Sequence, residues 1–212
     1  MRPAIGPGVA AASPGYAGAM DRRDSRGWVE VICGPMFSGK SEELIRRMVR
    51  YQIARVPTQT FKPAIDDRYA KAEVVSHSAL KVAAEPVADS AALLRAVQDR
   101  TVVVGIDEGQ FFDQGLVDVA ERLAASGKRV IVAGLDLDFL GRPFEPIPTL
   151  MTRAEYVTKS LAVCHRCGGA GMFTQRVIAS DELVVLGAEG AYEARCRYCY
   201  TPGESQQERL AL

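Results

Sequence analysis

No run of apolar residues in the 212-residue chain approaches the roughly 20 needed to cross a bilayer as a helix, so no membrane span is expected. No charge excess is present either: 26 Lys and Arg balance 26 Asp and Glu, for a formal net charge of +0. A nucleic-acid-binding domain usually carries a basic excess or stripe, and none is visible. Residues 1–27 are rich in Ala, Gly and Pro but lack the continuous apolar stretch of a secretory leader. They read as a disordered extension. Cysteine is scarce and odd in number, five in all. An odd count without a leader argues against a secreted disulfide scaffold and points to a reducing, cytoplasmic setting.

What is present suffices for one α/β domain with a small appendage. Residues 28–33 form a short apolar run bounded by glycines, the pattern of a strand. A Gly-rich turn follows. Leu44, Ile45, Met48 and Val49 then recur at helical spacing, predicting a helix from Gly39 to about Ala54. A second strand is expected over 58–62, and a polar excursion or hairpin over 66–80. A helix is expected from Ser90 to Arg100, and a third from Gln114 to Ser126, stopped by Gly127. Residues 101–106 and 129–135 are continuous apolar runs, typical of parallel strands buried on both faces. Strands alternating with helices imply a parallel sheet built from βαβ units. From Cys164 onward, Gly-rich segments between cysteine pairs mark a second lobe. The expected division is 28–160 for the α/β domain, 161–202 for the lobe and 203–212 for a tail.

Three constellations carry chemistry. Gly34-Pro35-Met36-Phe37-Ser38-Gly39-Lys40-Ser41 fits GxxxxGK[ST], placed after a strand and at a helix start. Its glycines let backbone N–H groups converge on phosphate oxygens, and the helix N-terminus adds partial positive charge. Lys40 can reach the β- and γ-phosphates of ATP, and Ser41 can ligate Mg²⁺. The second is Asp107-Glu108, at the end of the strand over 101–106. Asp107 stands where P-loop proteins organise Mg²⁺. Glu108, pointing elsewhere, can take a proton from an acceptor. ATPases also place an acid here to orient water, so the pair alone does not separate a kinase from a hydrolase. The third is Cys164-x₂-Cys167 with Cys196-x₂-Cys199. Four thiolates make the closed tetrahedral set of structural Zn²⁺. His165, inside the first knuckle, reads as an exposed spacer.

In combination, GPMFSGKSEELIRR at 34–47, DEGQFF at 107–112, LDLDFLGRPF at 135–144 and both cysteine pairs resemble the type II thymidine kinases. The resemblance runs from about Trp28 to Tyr200. It implies a RecA-like ATP domain and a zinc lobe carrying a lasso loop over the nucleoside. It implies that Glu108 is the base acting on the 5′-hydroxyl, and that Met36, Phe111, Leu135, Phe139 and Phe144 line a thymine pocket. Thr174, Tyr192 and the stretch Val185-Leu186-Gly187-Ala188 match lasso positions that contact the nucleoside, and Arg68 and Arg176 match arginines supporting the phosphates and lasso. Phe111, Phe139 and Phe144 also fit ordinary core aromatics, and for Phe112 that reading is preferred. Ala79 stands where the family often has a glycine, in a loop expected to be mobile, and this leaves the chemistry as read. The family is commonly tetrameric and inhibited by thymidine triphosphate. A competing reading is a P-loop ATPase whose zinc ribbon grips nucleic acid. The neutral charge and the aromatic segment 111–144 favour the kinase.

Overall fold

The computed structural model describes residues 26–64, 73–75, 81–178 and 190–202. Its centre is a six-stranded sheet: β1 (Trp28–Cys33), β2 (Thr58–Pro63), β5 (Glu85–Val87), β6 (Val103–Ile106), β7 (Arg129–Gly134) and β8 (Tyr156–Lys159). The order is β5-β2-β6-β7-β1-β8, and every pairing is parallel. This is the parallel α/β architecture expected of a P-loop domain.

The continuous apolar strands follow from burial on both faces. Alternate residues point opposite ways along a strand. Val29, Val31, Val104, Val130 and Val132 meet Leu116, Val117, Ala120 and Leu123 of α3 (Gly115–Ala125) in one cluster. Ile32, Val103, Ile131 and Ala133 meet Leu44, Ile45 and Met48 of α1 (Lys40–Ile53) in the other.

Helix α2 spans Ser90–Ala96, shorter than the periodicity predicts. Its start is capped by Asp89, whose side chain accepts from Ala92 N–H at 2.6 Å. Its end is set by a strand residue: Gln59 donates to Ala96 O at 3.1 Å and accepts from Gln98 N–H at 2.8 Å. Those bonds divert Val97 into extended backbone. Part of the expected 66–80 excursion is a hairpin outside the main sheet, β3 (Glu73–Val75) with β4 (Lys81–Ala83). Helix α4 (Ile147–Arg153) and edge strand β8 lack a strong sequence pattern and were not foreseen.

The second lobe has two small antiparallel pairs. β9 (Ala162–Val163) pairs with β10 (Ala170–Gly171), and β11 (Phe173–Arg176) pairs with β12 (Tyr192–Arg195). Among the described residues, no helix is long and apolar enough to cross a membrane.

Candidate functional site

The Gly-rich turn lies between β1 and α1, at the C-terminal edge of the sheet, where open parallel sheets bind ligands. Gly34 has φ +142, and a Cβ there would lie 2.1 Å from Ser160 O, so no other residue fits against β8's exit. Gly39 (φ 76) opens the helix. Phe37 is half-exposed on left-handed backbone with φ 65, a conformation that bulky residues rarely take. Lys40 Nζ and Ser38 Oγ each donate to Pro35 O at 2.8 Å, closing the turn on itself. Burial holds the Lys40 amine below the usual lysine range, against the opposing pull of Glu108, Asp107 and Asp136.

The carboxylate pair is split by the backbone. Asp107 is buried and accepts from Ser41 Oγ at 3.1 Å. Burial, and then the neighbouring Glu108 charge, push its carboxyl up to about 7. Glu108 takes left-handed backbone (φ 51, ψ 41) and is exposed. Its Oε2 accepts from Gln110 Nε2 at 2.5 Å, while Gln110 Oε1 accepts from Leu135 N–H at 2.9 Å. One buried amide therefore ties the exposed acid to the start of the 135–144 segment. No role was assigned to Gln110 from the sequence; its signal was its place inside the DEGQFF run. Asp136 was missed as well. Its buried carboxylate pairs with Lys159 at 2.6 Å across the end of β1.

Seven of the expected nucleoside residues meet in three separate contacts. Thr174 Oγ1 accepts from Met36 N–H at 3.1 Å, joining the lobe directly to the phosphate turn. Phe111 and Phe144 meet edge-on at 6.1 Å. The Arg176 guanidinium lies 3.6 Å over the Phe139 ring, and its Nη2 donates to Tyr192 Oη at 3.0 Å. Phe112 is a core residue, as preferred. His165 is exposed but more than a spacer. Its Nδ1 accepts from Ala194 N–H at 3.1 Å and its ring meets Phe37 edge-on at 5.4 Å. Arg68 and Val185, Leu186, Gly187 and Ala188 lie outside the described residues.

The four thiols of the lobe converge. The sulfurs of Cys164, Cys167, Cys196 and Cys199 all lie within 4.8 Å of one another, and Cys167 and Cys196 stand 3.6 Å apart. Tetrahedral Zn–S bonds place sulfurs about 3.8 Å apart, so the donor set fits zinc. Burial acts to raise the Cys164 thiol, but backbone N–H groups of Cys196, Arg166 and Cys167 outweigh it and bring it to about 6. Cys199 moves the other way, burial and then the Cys196, Cys167 and Cys164 side chains raising its thiol, and a bound metal would draw the set to thiolates. Cys33 differs: burial pushes its thiol up to about 11, which leaves it inert.

The Gly-rich turn thus touches the divided acid pair through Ser41 and the four-cysteine lobe through Met36 and Phe37. The Thymidine kinase family model matches residues 27–200. The chain is 54% identical over 178 residues to the thymidine kinase of Rhodothermus sp. (strain ITI 518), covering 84% of this chain and 83% of that protein. It is 52% identical over 178 residues to the thymidine kinase of Bdellovibrio bacteriovorus, covering 84% and 87%. Similarity of this extent, spanning both the turn and the cysteine lobe, means that the chain belongs to the thymidine kinase family.

Proposed function

We propose that the protein transfers the γ-phosphoryl group of ATP to the 5′-hydroxyl of thymidine, giving dTMP and ADP, in nucleotide salvage for DNA synthesis. The observation that carries this reading is the Thymidine kinase family match over residues 27–200, which takes in the turn, the acid pair and the cysteine lobe. Asp107 stays with Ser41, while left-handed backbone turns Glu108 outward.

Gly34, Met36, Phe37, Ser38 and Gly39 form the turn that receives the phosphates, and Lys40 reaches the β- and γ-oxygens. Ser41 and Asp107 hold Mg²⁺. When bound with ATP, Mg²⁺ supplies charge neutralisation on the β- and γ-phosphates. Glu108 accepts the 5′-hydroxyl proton as that oxygen bonds to the γ-phosphorus and the bond to the β-bridging oxygen breaks. Gln110 keeps the Glu108 carboxylate in place. Met36, Phe111, Leu135, Phe139 and Phe144 hold the flat base, with Thr174, Arg176 and Tyr192 from the lobe. Backbone groups of Val185 to Ala188 read the pyrimidine edge, and Arg68 supports the phosphates. Cys164, Cys167, Cys196 and Cys199 would hold Zn²⁺, which would serve a structural role there.

The reading extends to a 28–160 catalytic domain with a 161–202 lobe, a homotetramer, a cytoplasmic setting and feedback inhibition by dTTP. The test is ADP release with Mg²⁺ and ATP, measured with added thymidine or added DNA. Thymidine-dependent turnover with matching dTMP supports the proposal. Turnover that follows DNA instead overturns it.

A further inference from the structure

We infer that Tyr200 is a positioning residue for the nucleoside site, setting the height of Phe139 from the cysteine lobe; this rests on the nucleoside-kinase reading above. Tyr200 directly follows the last cysteine, and its N–H donates to Cys196 O at 3.0 Å. The turn that gathers the thiols therefore fixes where this ring stands. Its hydroxyl donates to Phe139 O at 2.9 Å. Its ring lies flat on Phe173, with centroids 4.3 Å apart and 8° between planes.

The 137–143 loop holds its own shape without the tyrosine. Asp138 Oδ1 accepts from Leu140 N–H at 2.9 Å and Arg142 N–H at 2.8 Å, and Leu137 bridges to Pro143. These bonds close the loop internally, but they do not fix it against the lobe. The Tyr200 hydroxyl does, at the loop's tip, together with the lobe's Arg176 guanidinium over the Phe139 ring. Gly141 packs against the same oxygen: a Cβ there would lie 3.0 Å from Tyr200 Oη.

Phe139 belongs to the proposed base-holding wall, whereas the phosphate turn and Glu108 make none of these contacts. Loss of the hydroxyl should therefore loosen nucleoside binding and spare the chemical step. The experiment is Tyr200→Phe in the full chain with bound zinc measured. The ring still stacks on Phe173, and only the bond to Phe139 O is removed. One net hydrogen bond predicts a KM for thymidine raised roughly three- to tenfold. The kcat should stay within about twofold, KM for ATP should not change, and zinc should be retained. Amide hydrogen exchange at 137–143, without substrates, should be faster. An unchanged thymidine KM overturns the inference. So does loss of zinc with a joint fall in kcat, which would make Tyr200 part of the lobe's fold only. If the wild-type protein fails to use thymidine, the proposed function falls, and unaltered exchange at 137–143 then overturns the Tyr200 assignment separately.

Discussion

At the scale of single residues, the chemistry depends on a backbone sign. Asp107 and Glu108 are adjacent and both lie just past the end of β6. The left-handed conformation of Glu108 completes the turn into the 3₁₀ segment Gly109–Phe111 and brings Gln110 back to its carboxylate. Strain of this kind persists where surrounding structure enforces it. Glu108→Gln should bind both substrates normally and lose roughly 10²-fold or more in kcat, the share of a positioned base; steady-state kinetics showing kcat within about threefold of wild type would remove Glu108 from that role. Lys40→Ala should lower kcat/KM for ATP by roughly 10²-fold, because a charge meeting the transferring phosphoryl group is gone. Retained zinc and a native far-ultraviolet spectrum would show that the loss is local. Glu108 and Lys40 were legible because a strand-end acid pair and GxxxxGK[ST] are defined by chain order alone. Gln110, Asp136 and His165 were not, since their partners Leu135, Lys159 and Ala194 become neighbours only after folding. Arg47 is similar: on an amphipathic helix it reads as surface charge, yet it is buried and pairs with buried Glu30 at 2.6 Å. Arg47→Met leaves that carboxylate without its guanidinium and should cost about 3–5 kcal/mol of stability, read from urea unfolding; a loss under about 1 kcal/mol would mean that Glu30 finds other partners.

At the scale of elements, the sheet was readable because burial on both faces writes itself into sequence as unbroken apolar runs. The strands over 103–106 and 129–134 needed only trimming at their ends. Helix α2 was overestimated because a side chain from β2 captures its last carbonyl, a tertiary contact that no local pattern encodes. Strand β8 escaped because one side is an open edge and Tyr156, Val157 and Lys159 are exposed, so neither alternation nor a continuous apolar run develops. The lobe is the opposite case. Its strands have two to four residues each, too short to signal themselves, but the cysteine spacing marked the unit clearly. Such short pairs bury little, and the metal is expected to supply much of their folding energy. Cys196→Ser should therefore release zinc and weaken thymidine affinity by more than about tenfold, while ATP affinity changes little. The two sites touch mainly through Met36 with Thr174 and Phe37 with His165. Metal analysis together with separate titrations of the two substrates checks this. Equal loss of both affinities would mean that the lobe also supports the phosphate turn.

At the scale of the whole molecule, the proposed nucleoside site draws on both the α/β domain and the cysteine lobe, and this bears on the acceptor. A kinase has to keep water from the γ-phosphate, or it spends ATP as a hydrolase. Here the lobe's β11 reaches the phosphate turn through Thr174, and β11 pairs with β12, Val177 N–H donating to Ala191 O at 2.9 Å where the strands part. Val185 to Ala188, proposed to read the base, fall between the two strands in the sequence. The α/β domain supplies the apolar and aromatic contribution: Leu135 beside Gln110, Phe111 against Phe144, and Phe139 beneath Arg176. Walls of this kind accept a thymine methyl and are worth only about 1–3 kcal/mol per methyl group in discrimination. The polar edge must be read by hydrogen bonds, and a site built for one donor–acceptor pattern rejects its mismatch far more strongly, because buried groups are then left unpaired. Thymine and uracil share that pattern, and cytosine does not. Thymidine should therefore be the best acceptor, with deoxyuridine roughly 10- to 100-fold lower in kcat/KM for want of one methyl. Deoxycytidine and the purine nucleosides should fall further still. ADP release measured across a nucleoside series at fixed ATP and Mg²⁺ gives the order directly. If deoxycytidine matched deoxyuridine, the base would be held by its flat faces alone, and the backbone of Val185 to Ala188 would lose its proposed part in recognition.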